Sequence, residues 1–145
     1  MTTATRTTTA RMSPFLHFTG EAGPAMEHYR SVFGGDLTSQ TYGGFGMGDD
    51  PRDADLVMHA QLDVGPALTL MASDVPHAMR EGSPSSNHPV CLWGTDDAVL
   101  RRWWDGLADG GQVHVPLEQA PGGDAFGQLQ DRFGVLWMVN ISPAG

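Results

Sequence analysis

The side chains in this chain equipped for chemistry are six histidines, one cysteine and seventeen carboxylates, set against eight arginines and no lysine. An imidazole can move a proton or ligate a metal. His17 and His59 fall inside apolar runs that read as strands, so each projects from a sheet. His114 and Glu118 stand at i and i+4 in another such run, which predicts that they share a strand face, and a histidine and a carboxylate that converge can work as an acid–base pair. Against these readings, a histidine on a half-exposed strand is ordinarily just solvated or hydrogen-bonded, and His28 and His77 read as surface residues. Cys91, between Val90 and Leu92 with no base beside it, reads as strand filler rather than nucleophile. Asp49, Asp50, Asp53 and Asp55 could attract a cation, but such a run is more simply a solvated acidic loop. The absence of lysine excludes Schiff-base chemistry. Neither GxGxxG nor GxxxxGK[ST] occurs, and the glycines between Gly43 and Gly48 lack both a helix to receive a phosphate and a lysine to hold it.

Composition restricts the partners. A chain of 145 residues, 40% apolar and 17% charged, suits one globular domain with a core large enough to need no metal or disulfide staple. Its formal charge of −9 repels phosphate backbones and anionic lipid, so no nucleic acid and no membrane is expected as partner. No apolar run approaches the roughly 18 residues that span a bilayer. A single cysteine forms no internal disulfide, which makes the cytoplasm the expected compartment.

The elements that must position these groups follow from periodicity. Residues 1–12, rich in threonine, show no apolar face and read as a flexible leader. A strand over Pro14–Phe18 precedes a helix in which Met26, Tyr29, Val32 and Phe33 recur at helical spacing until Gly34-Gly35 stops it. Leu37–Tyr42 reads as a strand, followed by a Gly-rich acidic loop with little to bury. From Leu56 to Val64 the alternation predicts Leu56, Met58, Ala60, Leu62 and Val64 on the core face, with Val57, His59, Gln61 and Asp63 on the other. Gly65-Pro66 turns this strand into a hairpin with Ala67–Ala72. The second half repeats the order: strand Pro89–Trp93, helix Asp96–Ala108 capped by Asp96 or Thr95, then strands Gln112–Leu117, Phe126–Gln130 and Val135–Ile141. In that helix Val99, Trp103 and Leu107 are expected to share the core face, leaving Trp104 or Trp103 for solvent, a partner subunit or a groove.

Three strings carry a resemblance: SPFLHFTGEAGPAMEHYRSVFGGDL (13–37), LTLMASD (68–74) and DAFGQLQDRFGVLWMVNI (124–141). They resemble the vicinal oxygen chelate superfamily of glyoxalase I, bleomycin-resistance proteins and dioxygenases, and more closely its PhnB-like branch. The resemblance implies an α+β fold of two βαβββ modules, residues 13–75 and 88–145 joined by a 76–87 linker, whose sheets curl into incomplete barrels. It also implies a homodimer with a small-molecule ligand against the curled sheets. Metal-using members place ligands at positions that align here with Ser13 or Pro14, Leu70 or Met71, and Met138, while His88 meets the fifth-strand position only on a register shift of about two residues, and thioethers are poor ligands for Zn, Ni or Mn. The expected function is therefore metal-independent binding of a small molecule, without cofactor, in a pocket drawing on His17, His59, Met71, Trp93 and Trp137. The alternative is a divalent-metal glyoxalase- or dioxygenase-type enzyme holding Ni, Mn or Zn with His59, His88 and Glu118. Acidic surroundings favour a neutral or cationic ligand.

Overall fold

A computed structural model describes residues 11–46, 50–80, 88–121 and 123–143. Its elements run β1 (Phe15–Phe18), α1 (Ala22–Phe33), β2 (Asp36–Thr41), β3 (Val57–Val64), β4 (Leu68–Asp74), β5 (Val90–Gly94), α2 (Asp97–Ala108), β6 (Gln112–Gln119), β7 (Ala125–Gln130) and β8 (Leu136–Ile141). Each half builds a four-stranded sheet, β1-β4-β3-β2 and β5-β8-β7-β6, that does not close. In both, the first strand joins the last in parallel while the other neighbours pair antiparallel. The repeat of elements is thus a repeat of topology, and the fold is α+β with two βαβββ modules. The expected leader, apart from Arg11 and Met12, and most of the 76–87 linker lie outside the described residues.

Strand alternation gives each sheet a helix side. Phe18, Ala60, Leu62, Leu70 and Ala72 face α1, and Leu92, Leu129, Trp137, Val139 and Ile141 their own helix; all join one continuous core. The helices meet at Gly106, where an added Cβ would come within 2.8 Å of Val32 Cγ2, and at Phe33 and Trp103, whose rings lie 5.0 Å apart edge to face. The core face of α2 is Leu100, Trp104 and Leu107 rather than Val99, Trp103 and Leu107. Trp104 wins because β7 offers it a glycine: a Cβ at Gly127 would lie 2.7 Å from Trp104 Cη2. In β3 a register shift between Gln40 and Thr41 skips Met58, so Val57 is buried and Met58 half-buried, the reverse of the simple alternation. The acidic loop buries more than its composition suggests, since its second 3-10 turn, Pro51–Asp53, carries Asp53 inward.

Two buried carboxylates tie these pieces together. Asp74 Oδ1 accepts from the backbone N–H groups of Gly20 at 2.8 Å and Ala22 at 3.0 Å, while Oδ2 accepts from Val57 N–H at 3.0 Å. It caps α1 from fifty residues away in place of a local cap, which Glu21 does not supply. Asp131, in the β7–β8 turn, accepts at Oδ2 from Tyr29 Oη at 2.6 Å and Trp137 Nε1 at 2.9 Å, and at Oδ1 from the N–H groups of Phe133 and Val135. Because Tyr29 belongs to α1, this carboxylate bolts the first module to the second. Burial and the adjacent carboxylate push the Tyr29 hydroxyl far above its ordinary range, so it stays a donor.

Candidate functional site

With both helix sides committed to the core, the opposite side of each sheet is open. In the first module the strand register aligns Phe15 with Met71, His17 with Ser73, Gln61 with Met71 and Asp63 with Thr69, so these side chains share the open face. Phe15 is 45% exposed, and its ring lies 5.3 Å from that of His17 and 5.9 Å from that of His59. Along β3, His59, Gln61 and Asp63 at two-residue spacing form a row of polar groups. Gln61 Nε2 donates to both oxygens of Asp63 at 3.2 Å, and its Oε1 stands 3.4 Å from His59 Nε2. Thr69 Oγ1 donates to Asp63 Oδ1 at 3.0 Å and accepts from Arg11 Nη2 at 3.4 Å.

In the second module the pairing of Cys91 with Met138, Trp93 with Asn140, and Phe126 and Gln128 with Asn140 and Met138 defines the corresponding open face. Trp93 is 75% exposed there. Cys91 is exposed on this face rather than packed as buried strand filler, and partial desolvation raises its thiol above the usual range, which keeps it protonated and unlike a nucleophile.

Of the expected pocket residues, His17, His59 and Met71 come together on the first open face and Trp93 lies on the second. Trp137 is on the helix side, wholly buried and bound to Asp131, and lines neither face. The sequence reading passed over Phe15, Asp63, Thr69 and Arg11, although strand parity alone aligns Asp63 with His59. His114 and Glu118 lie on the exposed edge strand β6, where two register shifts against β7 break the alternation that would have aligned them. His28 and His77 are not simple surface residues. His28 packs against Phe133 of the other module at 5.8 Å, and its Nε2 is buried without a hydrogen-bond partner. His77 Nδ1 lies 2.6 Å from Asp53 Oδ1, and this hydrogen bond holds the Asp53 carboxyl below the usual carboxylate range.

A metal centre does not fit the donors. The residues aligned with the superfamily's ligand positions include thioethers, and Met71 and Met138 both sit among uncharged neighbours in the sheets. Among the described residues no three His, Cys, Asp or Glu side chains are grouped so as to share an ion, and His59, His88 and Glu118 do not converge. A recess of about 230 Å³ lies elsewhere, lined by Thr95, Asp97, Arg101, Gln119 and Ser142 among others, below the size usual for small-molecule sites. No described helix is long and apolar enough to cross a membrane.

Paired βαβββ modules with unclosed sheets define a glyoxalase-type protein. The sequence profile of the Glyoxalase/Bleomycin resistance protein/Dioxygenase superfamily matches residues 11–139, and the chain belongs to that superfamily. It is similar to the protein PA1353 of Pseudomonas aeruginosa, at 34% identity over 94% of this chain and 100% of that one, with a TM-score of 0.77. A PhnB protein of Bacillus cereus has the same fold, with a TM-score of 0.69 at 23% identity, over 92% of this chain and 100% of its own. Protein YjdN of Escherichia coli K12 is 26% identical over 146 residues, 90% of this chain and 94% of its own length.

Proposed function

We propose that the protein binds a small molecule on its open sheet faces without a metal ion, and that a second copy of the chain completes the site. The observation that carries this reading is the composition of those faces. Exposed rings, Phe15 and Trp93, lie beside unbranched or thioether side chains and a row of hydrogen-bonding groups, the mixture that holds a flat, partly polar ligand. Within one chain the modules meet through α1, α2 and the Tyr29–Asp131 bond, which spends the helix sides on the core and leaves both ligand faces facing outward. Dimerisation in the manner the superfamily suggests would shelter them. The expected compartment is the cytoplasm.

The test is a thermal-shift screen of chelator-treated, untagged protein at fixed protomer concentration, with light scattering to give the oligomeric state. Compounds that stabilise the chelated dimer, and lose that effect in His59→Ala or Trp93→Ala, support the reading. Stoichiometric Ni²⁺, Mn²⁺ or Zn²⁺ whose stabilisation disappears in His88→Ala would replace it with a metal-dependent enzyme.

A further inference from the structure

We infer that Arg11 is an internal stand-in for a cationic ligand, its guanidinium holding the place on the first module's open face that the amidinium, guanidinium or ammonium of a small molecule would take. The inference rests on the proposed ligand role of that face and adds the charge class of what binds there. The acidic charges on this face come from its strands. Asp63 presents both carboxylate oxygens along β3, and Asp36 stands opposite it in the β2–β3 register. None of the four strands β1 to β4 carries an arginine, and the chain has no lysine. Yet the face already holds a cation. Arg11 Nη2 donates to Thr69 Oγ1 at 3.4 Å, and the same hydroxyl donates to Asp63 Oδ1 at 3.0 Å.

The manner of contact makes Arg11 displaceable. Thr69 stands between guanidinium and carboxylate, so the attraction is the weak one of separated charges near water. Asp63 has been given three hydrogen bonds by Gln61 and Thr69, and a carboxylate has about four acceptor sites, so an arriving cation finds both charge and a lone pair. One pleat away, roughly 7 Å along the strands, Phe15 and Met71 offer a ring and a thioether for the ligand's flat body. A molecule with an apolar plane at one end and a cation at the other matches that spacing, and its cation competes with Arg11.

The probes are benzamidine, neutral benzamide and anionic benzoate, titrated into the full chain and read on the backbone amide signals of Asp63, Thr69 and Met71. In Arg11→Gln the affinity for benzamidine is expected to rise roughly two- to fivefold, the value of one exposed charge interaction. In Asp63→Asn it is expected to fall by at least as much, while benzamide is indifferent to Arg11→Gln. Unchanged or weaker benzamidine binding in Arg11→Gln overturns the inference, as does tighter binding of benzoate than of benzamidine by the unmodified protein, which would make Arg11 an anion receptor. Equal binding of all three probes in every variant leaves the face a ligand site and removes its charge preference; no perturbation at these amides by any probe refutes both.

Discussion

Replacing Tyr29 by phenylalanine removes one hydroxyl and preserves the ring that packs against Phe133 and Trp137, so it isolates the bond between the modules. The lost interaction is a 2.6 Å hydrogen bond from a neutral donor to a buried carboxylate. Hydrogen bonds to charged groups contribute about 1.5 to 3 kcal/mol. Asp131 keeps Trp137 Nε1 and two backbone N–H groups as donors, so its charge is not abandoned and the expected cost is near the middle of that range, about 2 kcal/mol. At the entropy of unfolding typical of a chain this size, that lowers Tm by roughly 7 °C. Urea unfolding of Tyr29→Phe, Asp131→Asn and the double variant at one protomer concentration checks it. The two substitutions are expected to couple, because Asp131→Asn turns a charged acceptor into an amide that serves Tyr29 and Trp137 poorly, leaving Tyr29→Phe little further to lose. A cost below about 0.5 kcal/mol, or the same cost in both backgrounds, would refute the idea that this carboxylate bolts the modules together.

Asp74→Asn exchanges one acceptor for a donor facing a backbone N–H, at a cost of about 3 kcal/mol, with hydrogen exchange accelerated at Gly20, Ala22 or Val57. Gly127→Ala drives a methyl to 2.7 Å from Trp104 and 2.9 Å from the Leu117 backbone, and should lower stability by about 1 to 3 kcal/mol in denaturant titration. Asp53 has a folded-state pKa below its unfolded one, so its contribution is complete above the unfolded value near 3.9 and is lost as pH falls through the lower folded value. Thermal unfolding of Asp53→Asn should therefore differ from the unmodified protein at pH 6 and converge with it in strong acid.

Much of the architecture was legible because each half repeats strand, helix and three strands, each helix ended by glycines, and local periodicity survives without knowledge of the partner element. What sequence alone could not settle depends on contacts between elements. Spacing alone sets Trp103 on the core face with Val99 and Leu107, and only the room that Gly127 leaves on β7 gives the place to Trp104. Val57 and Met58 exchange sides because β3 carries an extra residue against β2, which only the pairing of the two strands reveals. No local pattern marks Asp131 as a buried acceptor, and only the approach of Tyr29 from 102 positions away reveals it. The site divides in the same way. His59 and Met71 reached the open face by strand parity, whereas Trp137, of the opposite parity to Met138, went to the core. Arg11 lies in a segment without periodicity, and no local signal ties it to Thr69.

The central claim, that the open sheet faces are the ligand site, is tested most directly by mapping the binding of a screened ligand on the chelated protein through amide and side-chain signal changes. The account predicts that the changes cluster on Phe15, His17, His59 and Met71, and on Trp93 as well if a second copy completes the site. Changes centred instead on the recess around Arg101 and Ser142, or binding that appears only after a divalent ion is restored, would contradict it.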